Sequence, residues 1–272
     1  MRVLGIAIVV ALGMALATLH MLEPLVSRLV FQPTRGVDLR PETLGIEAEE
    51  VEFQSGDGVR LHAFLLPGDP PGRRSLLFLH GNAGNASHRL PNAAALAQLG
   101  ADVLLLDYRG YGLSEGRPSE AGVIADARAA LGYLMRSRGA PRERIVLFGR
   151  SLGGAIAVAL ANEGPLGGVI LESTFSSLSD LARSVAGPLG SLLLRGRFDS
   201  LARIPAVRSP LLFFHGDRDE IVDFGLGRRL YEAALAPKVF EVIRGAGHND
   251  TVEVGGAPYL RRIGRFLDEV AP

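Results

Sequence analysis

The chain is 272 residues long and 47% apolar, with 29 basic residues, 29 acidic residues and no cysteine. Such a length accommodates one large domain with a full core, and the balanced charge leaves no electrostatic footprint for nucleic acid or an acidic surface. The lack of cysteine excludes disulfides, thiolate catalysis and zinc–thiolate sites, and leaves the redox compartment open.

From Val3 to Leu22 twenty residues pass without a charge. As a helix such a run is about 30 Å long, enough to cross a hydrocarbon core. Ala15-Leu16-Ala17 would suit a signal-peptide cleavage site, but the run continues through Leu19, Met21 and Leu22, which favours an uncleaved anchor. Residues 1–24 are therefore expected to hold the protein at a membrane, with export after cleavage as the alternative. Arg2 precedes the run and Arg28, Arg35 and Arg40 follow it, so the side of the membrane is not indicated. Residues 25–46, with proline, glycine and no periodicity, read as a linker.

The folded domain is expected over 47–272. It opens with a β-hairpin, 48–53 and 59–66, turned on Gly56-Asp57-Gly58. Apolar strands at 75–79, 102–106, 145–148, 168–171, 210–214 and 239–243 then alternate with helices at 88–99, 119–138, 155–160, 224–235 and 259–270. Continuous apolar strands separated by helices predict an α/β architecture, a mostly parallel sheet with helices on both faces. Between Ser173 and Ser209 the chain is longer than an ordinary crossover, with helix-like runs at 178–185 and 189–194. Residues 175–208 are expected to form a small helical cap. Its Phe175, Leu178, Leu181, Leu189 and Leu193 either line an acyl pocket or pack the crossover onto the core.

The chemistry centres on Gly149-Arg150-Ser151-Leu152-Gly153, between a strand and a helix former. This is the pattern of a nucleophile elbow, a strained turn that presents a serine hydroxyl at the top of a sheet, and it makes Ser151 the candidate nucleophile. A serine needs a base, and the base needs an orienting acid. On an elbow the partners follow in the order serine, acid, histidine. His20, His62, His80 and His88 precede Ser151, leaving His215 and His248. His215 ends a strand with little room for an acid between it and Ser151. His248 follows the last strand in a glycine-rich loop that can bend an imidazole back toward the serine, and is the candidate base. Asp217, Asp219 and Glu220 follow the strand at 210–214, at the carboxyl end where open α/β sheets place their sites. Asp219 is preferred as the acid. Asp217 is second, as a turn residue bonding its own backbone, and Glu172 is third. Oxyanion donors are expected from the backbone N–H of Leu152, at the start of the elbow helix, and of Asn82, in the glycine-rich loop after the strand at 75–79. His80 is expected to be structural.

Together with His80-Gly81-Asn82-Ala83-Gly84-Asn85, Asp107-Tyr108-Arg109-Gly110-Tyr111-Gly112, His215-Gly216-Asp217-Arg218-Asp219 and Gly247-His248, the elbow resembles the α/β-hydrolase fold over about residues 49–272. More narrowly, it is similar to the membrane-anchored branch labelled serine aminopeptidase-like or lysophospholipase-like hydrolases. The resemblance implies a triad of Ser151, Asp219 and His248, an oxyanion hole of Asn82 and Leu152, and an N-terminal transmembrane helix. It makes the 107–112 motif mostly structural, with Tyr108 and Arg109 as candidates to reach the site. The expected function is hydrolysis of a carboxylic ester or thioester of a hydrophobic acyl group through an acyl-enzyme. The alternatives are a peptidase or amidase of the serine aminopeptidase type, or a catalytically silent membrane-tethered binding protein. No metal or organic cofactor is implied. The expected partners are a small or lipid-like acyl substrate and, through residues 3–22, a membrane; no nucleic acid is expected, and the oligomeric state is open.

Overall fold

The computed structural model describes residues 27–272. The apolar run at 3–22, expected to be a membrane anchor, lies outside the described residues. Among those described, no helix is long and apolar enough to cross a membrane.

Among the described residues ten strands form: β1 (Gln32–Pro33), β2 (Glu49–Gln54), β3 (Arg60–Leu66), β4 (Ser75–Leu79), β5 (Ala83–Gly84), β6 (Asp102–Leu106), β7 (Ile145–Arg150), β8 (Gly168–Glu172), β9 (Leu211–Gly216) and β10 (Lys238–Ile243). Eight make one sheet in the order β10-β9-β8-β7-β4-β6-β3-β2. The hairpin β2–β3 runs antiparallel and β3 pairs antiparallel with β6, whereas every pair from β6 to β10 is parallel. The central strands read as unbroken apolar runs because both of their faces are covered. Side chains alternate along a strand, so Leu77, Leu104, Leu147 and Leu171 enter one core layer while Phe78, Leu105, Phe148 and Ile170 enter the other. A one-residue slip would exchange the two layers, which pins the register. The edge strand β2 instead carries Glu49, Glu50 and Glu52, charges that discourage edge-to-edge pairing.

Among the described residues the strands are joined by helices α1 (Leu90–Ala97), α2 (Glu120–Ser137), α3 (Leu152–Ala161), α4 (Leu178–Leu193), α5 (Ser200–Arg203), α6 (Phe224–Ala233) and α7 (Thr251–Val270). Helices α2, α3 and α6 bury their apolar faces in the first layer, and α1 and α7 bury theirs in the second. Ser119 caps α2 by accepting from Gly122 N at 3.1 Å, and Ser177 caps α4 by accepting from Asp180 N at 3.0 Å, each satisfying an orphan donor of a first turn.

Three expectations are corrected. The helix expected at 259–270 begins at Thr251, because a first turn precedes a kink at Gly256 (φ 50°) and Pro258. The stretch expected as a free linker is, from residue 27 on, fastened to the domain. β1 pairs in parallel with β5, Thr34 N donates to Gly84 O at 2.9 Å, and Gly112 N donates to Thr34 O at 2.9 Å. These partners lie some fifty or more residues away, beyond the reach of local patterning. In the cap, α4 breaks at Gly187 (φ 66°) ahead of Pro188 into the two expected runs. However, only Phe175, Leu178 and Leu181 pack toward the core, while Leu189 and Leu193 face solvent with 69% and 53% of their surface exposed.

Candidate active site

The elbow follows from local sterics. Ser151, between β7 and α3, sits at φ 53°, ψ −118°, a left-handed conformation for a residue with a side chain. Strain of this kind costs about 1–3 kcal/mol and persists only where the surroundings enforce it. Here Ser151 N donates to Glu172 O at 2.9 Å, and Ser151 O accepts from Gly154 N at 2.9 Å and from Thr174 Oγ1 at 2.8 Å. Gly153 is required because a Cβ there would overlap the Leu79 carbonyl, the end of the neighbouring strand. Leu152 opens α3, so its N–H has no carbonyl four residues back within the helix.

Gly81, just beyond β4, lies against Ser151: a Cβ on it would stand 3.5 Å from Ser151 Cβ. Asn82 follows, with its side chain donating to Val30 O at 3.2 Å. Its carbonyl accepts from Gln32 N at 3.2 Å and from Tyr111 Oη at 2.7 Å. The loop is thus tied on one side to the chain entering from the N-terminus and on the other to the 107–112 motif. His80 is buried, its Nδ1 donates to Gly81 O at 2.7 Å, and burial lowers its pKa to about 4.

His248 Nδ1 donates to Asp219 Oδ2 at 2.8 Å. Asp219 Oδ1 accepts from Ile221 N at 3.0 Å and Val222 N at 2.8 Å, which fixes the carboxylate plane. Burial pushes the Asp219 carboxyl up, but hydrogen bonds from His215 and His248, the His248 charge and the Val222 N–H together hold it well below the usual carboxylate range. Ser151, His248, Gly81 and Asn82 line one cleft of about 300 Å3. The five residues named from the sequence therefore meet at the carboxyl ends of the strands: Asp219 behind His248, and Leu152 next to Ser151.

Two residues not assigned from the sequence belong to this arrangement. His215 Nε2 donates to Val222 O at 2.9 Å and lies 3.3 Å from Asp219 Oδ2, the oxygen that also accepts from His248, so two imidazoles meet one carboxylate oxygen. The i, i+4 spacing of His215 and Asp219 was visible, but only the bend after β9 turns both inward. Arg150, the variable residue of the elbow, donates from Nη2 to His248 O at 2.6 Å and forms an ion pair with Glu172, Nε to Oε1 3.0 Å. It clamps the His248 loop to β7.

The remaining candidates are placed elsewhere. Glu172, third choice as the acid, is fully buried and accepts from Thr251 Oγ1 at 2.8 Å and from Tyr259 Oη. Asp217, the second choice, accepts from Gly245 N at 2.6 Å and so ties two loops together rather than bonding its own turn. Tyr108 donates to His80 O at 3.0 Å, and Arg109 is paired with Asp126 and Asp57; neither lines the cleft. Nor does any of Phe175, Leu178, Leu181, Leu189 and Leu193, so the cap supplies no wall to this cleft. A larger depression of about 670 Å3 runs along Arg109, Arg128 and Arg136, but it contains no histidine to serve as a base. Of the two, only the smaller cleft brings a serine and a histidine together.

Residues 70–197 match the family model described as serine aminopeptidase, S33. An uncharacterized protein of Mycobacterium tuberculosis is 38% identical over 246 residues, 90% of this chain and 88% of that protein. The alpha/beta hydrolase domain-containing protein WAV2 of Arabidopsis thaliana is 34% identical over 286 residues, 96% of this chain and 93% of that protein. Among solved structures, an esterase of Pyrococcus furiosus superposes with a TM-score of 0.76 at 23% identity, covering 89% of this chain and 99% of the esterase, a likeness of fold. Sequence relationship along nearly the whole chain, together with the likeness of fold, leads to one conclusion: the chain belongs to the α/β-hydrolase family.

Proposed function

We propose that the protein is a serine hydrolase that cleaves a carboxylic ester or thioester by acyl transfer. The observation that carries this reading is the strained Ser151 sharing a cleft with His248, whose Nδ1 is held 2.8 Å from Asp219. The bond from Nδ1–H to the carboxylate leaves Nε2 of a neutral imidazole unprotonated, the form that can accept a proton from the Ser151 hydroxyl. Ser151 Oγ attacks the carbonyl carbon, and Asp219 stabilises the imidazolium that results. The N–H groups of Asn82 and Leu152 receive the oxyanion, each donor worth about 3–4 kcal/mol of barrier. The imidazolium then protonates the departing alcohol or thiol, and water activated by His248 releases the acid. A second reading, amide hydrolysis at a peptide amino terminus, draws on the family model's description, but esters and thioesters ask less of the leaving group. Residues 3–22 are proposed to anchor the protein to a membrane. Gln32, ten residues after that run, lines the cleft, so an anchored chain would bring the site close to lipid.

The test is labelling of the full chain by a fluorophosphonate, which reacts with activated serines. Wild type should label and Ser151→Ala should not, with ester hydrolysis falling by about four to six orders of magnitude. Equal labelling of both, or hydrolysis surviving in Ser151→Ala, would refute the assignment. Membrane fractionation with and without residues 1–24 tests the anchor: the truncated protein should leave the membrane fraction.

A further inference from the structure

The walls of the cleft do not match a purely hydrophobic substrate. Among the residues that line it, Ile221 and Ala83 are apolar, Arg89 and Arg150 are cationic, and none is acidic. The nearby Glu220 is turned to the His248 backbone N–H at 3.3 Å and is not part of the lining. Arg150 is already compensated by Glu172. Arg89 is not. This half-buried side chain spends one Nη2 hydrogen bond on Ala83 O at 3.2 Å, and its Nε is buried without any partner. Among the described residues it has no carboxylate partner, and the neighbouring His88 already serves Asp38, at 2.8 Å. Burial and then the like charge of Arg150 both act against the Arg89 cation.

A guanidinium left partly desolvated beside a like charge is costly unless something else completes it. Its free donors form the fork that binds a carboxylate or phosphate in two places at once. Resting on the serine-hydrolase reading above, we propose that Arg89 binds an anionic group of the substrate, a carboxylate or phosphate carried near the scissile ester. The small volume of the cleft, about 300 Å3, is at the low end for small-molecule sites. It suits a short charged group better than a long acyl chain.

Two matched pairs of substrates test this and separate the two possible positions of the charge. p-Nitrophenyl valerate against mono-p-nitrophenyl glutarate places a carboxylate on the acyl side. 1-Butyrylglycerol against 1-butyrylglycerol 3-phosphate places a phosphate on the alcohol side. In at least one pair the charged member should have a kcat/KM about tenfold or more higher, mainly through KM, as one charge-assisted hydrogen bond would give. Arg89→Gln should bring that ratio to near one, while Arg89→Lys, a point charge without the fork, should retain part of it. A wild-type preference for the neutral member in both pairs, or a charged preference that survives Arg89→Gln, overturns the proposal. Binding of glycerol 3-phosphate and of glutarate, measured by calorimetry on Ser151→Ala protein, needs no turnover and so stands apart from the hydrolase reading. Affinity for either that falls about tenfold on adding Arg89→Gln supports the site. No binding of either, or affinity unchanged by that substitution, overturns it.

Discussion

Asp219→Asn isolates the orienting acid with almost no change of shape. Asp219 Oδ1 accepts from two backbone donors, Ile221 N at 3.0 Å and Val222 N at 2.8 Å. An asparagine side chain must keep its carbonyl oxygen on those donors, because the reversed amide would set N–H against N–H. The NH2 group is then forced into the place of Oδ2 and points at His248 Nδ1, now 2.8 Å from the carboxylate. A donor there makes Nδ1 the acceptor and moves the imidazole proton to Nε2, the nitrogen that must take the proton of Ser151. In a Ser-His-Asp arrangement this tautomer change lowers kcat by about 10^4, or about 5.5 kcal/mol. The assay is steady-state hydrolysis of a p-nitrophenyl ester by folded variant and wild type, with Asp217→Asn in parallel. Among the described residues the Asp217 side chain bonds only Gly245 N, so its loss should cost less than tenfold, in the range of one loop hydrogen bond. The assignment is refuted if Asp219→Asn keeps more than a tenth of the wild-type kcat, or if Asp217→Asn is equally damaging.

His215→Leu removes a donor shared between Val222 O and Asp219. At 3.3 Å it is worth the lower end for a charged acceptor, about 1.5 kcal/mol, so kcat should fall about tenfold in wild type and hardly at all in an Asp219→Asn background. A double-mutant cycle measures this. Gly153→Ala sets two effects against each other: helix propensity favours alanine by about 1 kcal/mol, while overlap with the Leu79 carbonyl should cost about 1–3 kcal/mol or more. Since the obstacle is backbone of a central strand, urea denaturation should show net destabilisation. His80 has a folded pKa of about 4 against 6.5 for the free side chain, so between those pH values the unfolded chain binds the extra proton. Stability due to this group is full above pH 6.5 and is lost as the pH falls to 4, a change of about 3 kcal/mol at 1.36 kcal/mol per pH unit. Denaturation curves at pH 7 and pH 4 should show that His80→Phe loses about that much less than wild type.

Periodicity along the chain was enough to mark the eight strands of the main sheet in their chain order, because strands covered on both faces must be apolar at every position and the residues of 75–79 and 145–148 meet that demand locally. The elbow was legible for a similar reason. Gly149, where a Cβ would meet Gly153 O and Ala157 Cβ, answers to contacts made within one strand–turn–helix unit, whereas the need for Gly153 comes from the Leu79 carbonyl of the neighbouring strand; the order of serine, acid and histidine follows from the strand order. What the tertiary structure decided depends on residues that meet only after the sheet has formed. It brought His215 and His248 to the same oxygen of Asp219, and it tied Arg150 to the His248 loop ninety-eight residues away. It also turned Leu189 and Leu193 outward, leaving the cleft lined by arginines where the cap had been a candidate acyl wall. An amphipathic helix shows in its sequence that it has an apolar face, but not what that face meets, since the partner comes from elsewhere in the chain. For the same reason a single arginine at position 89 has no meaning in the sequence, and acquires one only when the fold places it in the Ser151 cleft with no carboxylate partner among the described residues.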